Sequence, residues 1–174
     1  MSASPVFRTF RNYSCALLGA LCFSSNLAWA EQVRGETSFM HEPVLVRADT
    51  DNDSPSYSNA RYSFEVAVPQ DSGPPLGGLA FVIPNGIELP NAGKVQVTDS
   101  TGQPVAFQEN RLAQTVQLTF GKPVSPGQKV TVQFYPISNP QDGGIYLFDI
   151  SALPVGSNPH PQFLSYGRLE FHDD

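Results

Sequence analysis

The chain has 174 residues, with 10 Lys or Arg against 16 Asp or Glu, a formal charge of −6. That field repels a phosphate backbone and no Arg/Lys cluster overcomes it locally, so nucleic-acid binding is excluded. Sixteen prolines oppose long helices, because each removes a rung of the hydrogen-bond ladder.

Residues 1–30 read as an export signal. Arg8 and Arg11 precede an uncharged stretch from Asn12 to Ala30, whose apolar core runs from Cys15 to Phe23. Ala28-Trp29-Ala30 sets small residues at the two positions a signal peptidase reads, and acidic Glu31 follows. The apolar core is about ten residues long, and a spanning helix needs roughly 20, so a stable transmembrane anchor is not expected. Cleavage after Ala30 removes Cys15 and Cys22, the only cysteines. The remaining 144 residues hold eight Lys or Arg and all sixteen acids, a formal charge of −8. No disulfide, thiolate nucleophile or cysteine metal site is available to them. A domain of this size stands on its core, burying roughly two-thirds of its unfolded surface.

Residues 31–58 read as an N-terminal extension and acidic loop. Val44 to Arg47 is a short strand candidate within it, and Glu31 to Pro43 and Asp49 to Ser58 are expected to be its least ordered parts. From 59 to 174 the pattern is that of a β-sandwich domain. In Arg61 to Val68, residues Tyr62, Phe64, Val66 and Val68 share one face, the alternation of a half-buried strand. Leu79 to Ile83 is a continuous apolar run suited to a central strand. Alternation recurs at Val95 and Val97, at Val116, Leu118 and Phe120, and at Val130, Val132 and Phe134. Val105 to Gln108, Ile145 to Ile150 and Phe163 to Phe171 complete the series. Turn formers separate these runs, among them Pro84-Asn-Gly86, Asp99-Ser-Thr-Gly102 and Ser125-Pro-Gly127. The expected fold is all-β: an immunoglobulin-like two-sheet sandwich of about seven to nine short antiparallel strands, with a closed barrel as the competitor.

Several residues are candidates for chemistry. Asp49, Asp51 and Asp53 offer the alternate oxygen ligands that calcium takes, although a helix-loop-helix calcium loop needs Gly and Glu where Ser54 and Ala60 stand. Otherwise they are turn-capping residues of a solvated loop. His41 near the new N-terminus and His160 before the last strand meet at one end of such a sandwich, where a neighbouring Asp completes a copper or zinc site. Otherwise they, like His172, are solvated. Asp142 and Asp149 exemplify an acid–base pair for a hydrolase. No G-x-S-x-G elbow, phosphate loop or metalloprotease helix is present. Tyr146, Phe148, Phe163, Tyr166 and Phe171 crowd the C-terminal 30 residues, as core and cross-strand pairs or as a ligand platform.

The run Val130-Thr-Val-Gln-Phe-Tyr-Pro-Ile-Ser-Asn-Pro-Gln-Asp-Gly-Gly-Ile-Tyr-Leu-Phe-Asp149 leads on to Ala152-Leu-Pro-Val-Gly156 and to Phe163 through Phe171. Upstream stands Phe64-Glu-Val-Ala-Val-Pro-Gln-Asp-Ser-Gly-Pro-Pro-Leu76. Together they resemble the cyanobacterial family of exported proteins called DUF2808, most specifically in N-P-x-x-G-G-x-Y-L-F at Asn139 to Phe148. The resemblance implies export and one compact domain, and carries no catalytic or binding residue. A second resemblance, to periplasmic copper-binding sandwiches of the CopC type, rests on His160-Pro161, Gly167 and Leu169-Glu-Phe171. Its gap is longer than usual, and its early His-and-Asp pairing is not matched by His41 and Asp49.

The leading functional expectation is an exported, non-catalytic binding or structural module of the periplasm or cell envelope, with no cofactor, contacting an envelope protein or glycan. The alternatives are a periplasmic copper or calcium binder and a carboxylate-dependent hydrolase.

Overall fold

Nine strands carry the period-two pattern into space in a computed structural model that describes residues 35–88 and 94–173. They are β1 (Val44–Thr50), β2 (Ala60–Ala67), β3 (Leu76–Val82), β4 (Val95–Asp99), β5 (Phe107–Leu112), β6 (Thr115–Val124), β7 (Lys129–Ile137), β8 (Gly144–Pro154) and β9 (Gln162–Phe171). One sheet has the order β1-β2-β7-β4 and the other β5-β6-β3-β8-β9, with every pairing antiparallel. The fold is an immunoglobulin-like two-sheet sandwich. Residues 1–30, expected from the sequence to be an export signal, lie outside the described residues.

Tyr62, Phe64, Val66 and Val68 are all buried, as their alternation requires. They meet β3, β8 and β9 across the sandwich. The Phe64 ring lies 5.2 Å from Phe81, 5.9 Å from Phe134 and 5.1 Å from Phe148, so one side chain stitches four strands from both sheets. Each such aromatic pair adds about 0.5–1.5 kcal/mol beyond area burial. β3 takes the centre of the five-stranded sheet, which is why its sequence is apolar without a break.

Several strands differ from the sequence expectation; β1 runs past Arg47 to Thr50, into the segment expected to be least ordered. β5 begins at Phe107 rather than Val105 and runs to Leu112 through four polar residues. It is an edge strand whose inward positions, opposite Leu118 and Val116, carry Glu109 and Arg111, and these two pair with each other. β8 runs on to Pro154, its inward positions filled by small Ala152 and by Pro154 itself. Within residues 31–58, the segment around Thr37 bridges to Pro159, and β1 forms a full edge strand on β2.

The turn after β4 is closed by one carboxylate. Asp99 Oδ1 accepts from the Thr101 hydroxyl at 2.6 Å, the Thr101 N–H at 2.8 Å and the Gln103 N–H at 3.0 Å. The Thr101 hydroxyl bond first, then the backbone bonds, holds this carboxyl below its ordinary value of 3.8. A depressed folded pKa contributes stability above the unfolded pKa, and that contribution disappears as pH falls through the folded value. Asp99→Asn should therefore flatten the acid limb of a plot of Tm against pH below about pH 4. An unchanged acid limb would mean that the turn does not feel the charge.

Candidate functional site

At one end of the sandwich, four connections converge around a buried amide. Asn139, only 5% exposed, opens the β7–β8 connection. Its Nδ2 donates to the carbonyls of Asn52 at 3.0 Å and Ser54 at 2.8 Å. Its Oδ1 accepts from the Tyr62 hydroxyl at 2.8 Å, and its backbone N–H donates to the Tyr57 carbonyl at 2.8 Å. The β1–β2 connection is thereby fastened to the β7–β8 connection. Burial first, and the neighbouring Tyr146 second, push the Tyr62 phenol well above its ordinary value. It therefore remains a neutral donor at ordinary pH.

The β3–β4 connection is set by Gly86, at φ +93°, beneath the Tyr146 ring; a Cβ there would meet the ring at 3.0 Å. The Tyr146 hydroxyl donates to the Asp142 carbonyl at 3.1 Å, and its ring packs edge-on against Phe171 at 5.6 Å. Between these connections and the β5–β6 turn lies an open cavity of about 580 Å³. Glu88, Gln114, Ser138, Gln141, Asp142 and Tyr146 border it, and no Lys or Arg does so among the described residues.

A second feature lies on the outer face of the five-stranded sheet. Ile145, Leu147, Phe163 and Tyr166 are 55%, 44%, 48% and 54% exposed. Phe163 and Tyr166, three residues apart, share this face because the β8–β9 register shifts between Ile150 and Ser151. Their rings meet edge-on at 5.0 Å. Leu147 stands opposite Arg168, Ile145 opposite Glu170, and Asp149 opposite Tyr166. The C-terminal aromatics thus divide. Phe148 and Phe171 are core, Tyr146 braces the end cavity, and Phe163 with Tyr166 faces solvent.

The segments bearing His41 and His160 do run side by side, since the Thr37 N–H donates to the Asn158 carbonyl at 3.1 Å and the His160 N–H to the Thr37 carbonyl at 3.0 Å. The rings nevertheless face different carboxylates. His41 Nδ1 is 3.2 Å from Asp71 Oδ2, and His160 Nδ1 is 3.5 Å from Glu36 Oε2. The loop aspartates likewise have separate partners. Asp49 Oδ2 lies 3.6 Å from Arg47, Asp51 accepts from the Arg61 N–H at 2.7 Å, and Asp53 lies 3.4 Å from His172. Among the described residues no group of three or more His, Cys, Asp or Glu is placed to hold a metal ion. Asp142 borders the end cavity, whereas Asp149 lies on the outer sheet face and not at that cavity.

The cavity-lining residues Glu88, Gln114, Ser138 and Gln141 carry no sequence signal of their own. Glu88 and Gln114 lie in connections far from the one that holds Ser138 and Gln141, and the convergence of the turns unites them. Asn139 does sit in the N-P-x-x-G-G stretch, and a buried amide bonding three partners is the physical use of that residue.

Fold and surface together define an antiparallel β-sandwich module built to present connections at its end and a partly apolar sheet face at its side. The chain belongs to the family described as protein of unknown function (DUF2808), whose model matches residues 36–171. No curated protein matches it. Among solved structures it is similar to BslA, a bacterial hydrophobin, at 14% identity and TM-score 0.47, over 75% of this chain and 97% of that one. It is similar to the pilus backbone RrgB of Streptococcus pneumoniae at 13% identity and TM-score 0.47, over 68% of this chain and 34% of that one. A non-cellulosomal cohesin from Archaeoglobus fulgidus gives 10% identity and TM-score 0.47, over 76% of this chain and 92% of that one. These likenesses concern fold alone. No helix among the described residues is long and apolar enough to cross a membrane.

Proposed function

We propose that this chain is an exported, non-catalytic binding module of the periplasm or cell surface of a cyanobacterium, and that it holds an envelope protein against the outer face of β8 and β9. The observation carrying this reading is the exposure of Ile145, Leu147, Phe163 and Tyr166 on one sheet face. Large apolar side chains gathered on one exposed face are a feature of interaction surfaces. Across the β8–β9 pair the apolar side chains alternate with charged ones, Ile145 opposite Glu170, Leu147 opposite Arg168 and Tyr166 opposite Asp149, the mixed polarity of a non-obligate protein interface. Export rests on the basic, apolar and small-residue pattern of residues 1–30.

A photo-crosslinking residue at Tyr166, expressed in the native host, should yield a discrete adduct with one protein. The same residue at Gln108, on edge strand β5, should not. Adding Leu147→Asp should abolish the Tyr166 adduct while leaving the melting temperature within about 1 °C, because the change lies on the surface. Equal labelling at both positions, or none at Tyr166, would sink this reading.

A further inference from the structure

We propose that the end cavity is a second, separate site, which binds a neutral saccharide. It does not rest on the protein contact proposed for the outer sheet face.

The chemistry of the lining selects the ligand. Glu88 and Asp142 offer carboxylate oxygens that only accept, whereas Gln114 and Gln141 offer amides that both donate and accept. Ser138 adds a hydroxyl of either sense. A ligand satisfying this set must both donate and accept at several neighbouring points, which is what vicinal hydroxyl groups do. With two carboxylates and no Lys or Arg at the rim among the described residues, a phosphate, sulfate or carboxylate ligand is repelled. The half-buried Tyr146 ring supplies the apolar surface against which the C–H face of a sugar ring lies. The volume of about 580 Å³ falls in the range of small-ligand sites, roughly 300–1,000 Å³.

The lining is available and held in place. Among the described residues, the side chains of Gln114, Gln141, Ser138 and Asp142 have no hydrogen-bond partner within the protein. Asn139, by contrast, spends its amide inward on Tyr62, Asn52 and Ser54. It belongs to the frame of the site and not to its recognition surface. The Asn139 bonds and the Tyr146–Gly86 contact fix the connections before any ligand arrives, so little ordering entropy opposes binding. Because the cavity is open to solvent, affinity in the millimolar to micromolar range is expected.

The test is saturation-transfer NMR on the purified protein with a panel of neutral probes: glucose, N-acetylglucosamine, maltose, cellobiose and chitobiose. Methyl phosphate, whose methyl protons report saturation, and lysine methyl ester serve as the anionic and cationic controls. At least one neutral sugar should receive saturation and neither control should. The Gln114→Leu/Gln141→Leu variant should weaken that binding roughly tenfold or more while keeping the parent melting temperature. Leu147→Asp, on the outer sheet face, should leave it unchanged. Three results would overturn the proposal: no transfer to any sugar, preferential binding of the ammonium probe, or sugar binding indifferent to the two glutamines. None of them bears on the Tyr166 adduct.

Discussion

Asn139→Ala should lower the unfolding free energy by about 3 kcal/mol, seen as a fall in Tm of roughly 10 °C for a domain of this size. The residue is 5% exposed, and its side chain bonds the Tyr62 hydroxyl and the carbonyls of Asn52 and Ser54. Alanine leaves all three without a partner. The Tyr62 hydroxyl suffers most, since Tyr62 is fully buried and a stranded buried donor costs about 1–3 kcal/mol. The two carbonyls lie in partly exposed turns that water can reach, so they add less. Tyr62→Phe strands only the Asn139 oxygen and should cost about 1–2 kcal/mol. In a double-mutant cycle the two changes should fall well short of additive. A single Asn139→Ala effect under about 1 kcal/mol would refute the linchpin role.

The same network has an alkaline signature. The folded pKa of Tyr62 is raised above its ordinary value of 10.0. Above about pH 10 the unfolded chain loses that proton and the native chain keeps it, so stability must decline as pH rises. Tyr62→Phe should remove this part of the decline, which melting curves between about pH 9 and 11 would detect.

Phe64→Ala should cost about 4 kcal/mol, at the upper end for deletion of a core ring. Phe64 is fully buried and contacts rings on β3, β7 and β8. Its fourth neighbour is the backbone of Gly167 in β9, where an added Cβ would stand 2.6 Å from the Phe64 ring and 3.1 Å from Ile150. Gly167→Ala alone should therefore cost about 1–3 kcal/mol through overpacking. In a Phe64→Leu background the methyl group gains room, and its cost should fall by about 1 kcal/mol or more. Strict additivity of the two changes in chemical denaturation would show that the glycine is not there for the ring.

The strands most legible in the sequence are those with one wet and one dry face. β2, β6 and β7 alternate over most of their length, and Tyr62, Phe64 and Val66, Val116, Leu118 and Phe120, and Val130, Val132 and Phe134 are buried as the period assigns. β5 was harder, because an edge strand with charges on its inner face breaks the rule that inward means apolar. β8 concealed its last turn-like residues, Ala152 to Pro154, because proline at a strand end is indistinguishable from proline in a loop. Pairing order lay further out of reach: β2 joins β7 some seventy residues on, a choice made by the whole core. The candidate sites followed the same division. Phe163 and Tyr166 were visible as aromatics, but their exposure depends on a one-residue register shift. The aspartates of the acidic loop and the two histidines drew notice by type, yet Asp53, His41 and His160 take their partners from remote segments. Of the end cavity only Asp142 and Tyr146 drew notice, since amides and serines in turns are ordinary.

One last consequence concerns β5. A neighbouring molecule that extended this sheet would have to lay its own apolar inner surface over Glu109 and Arg111. Their side chains are only 14% and 25% exposed, and a neighbour would strip the water that still reaches them. Copies crowded at high density thus gain little by adding a strand along this edge.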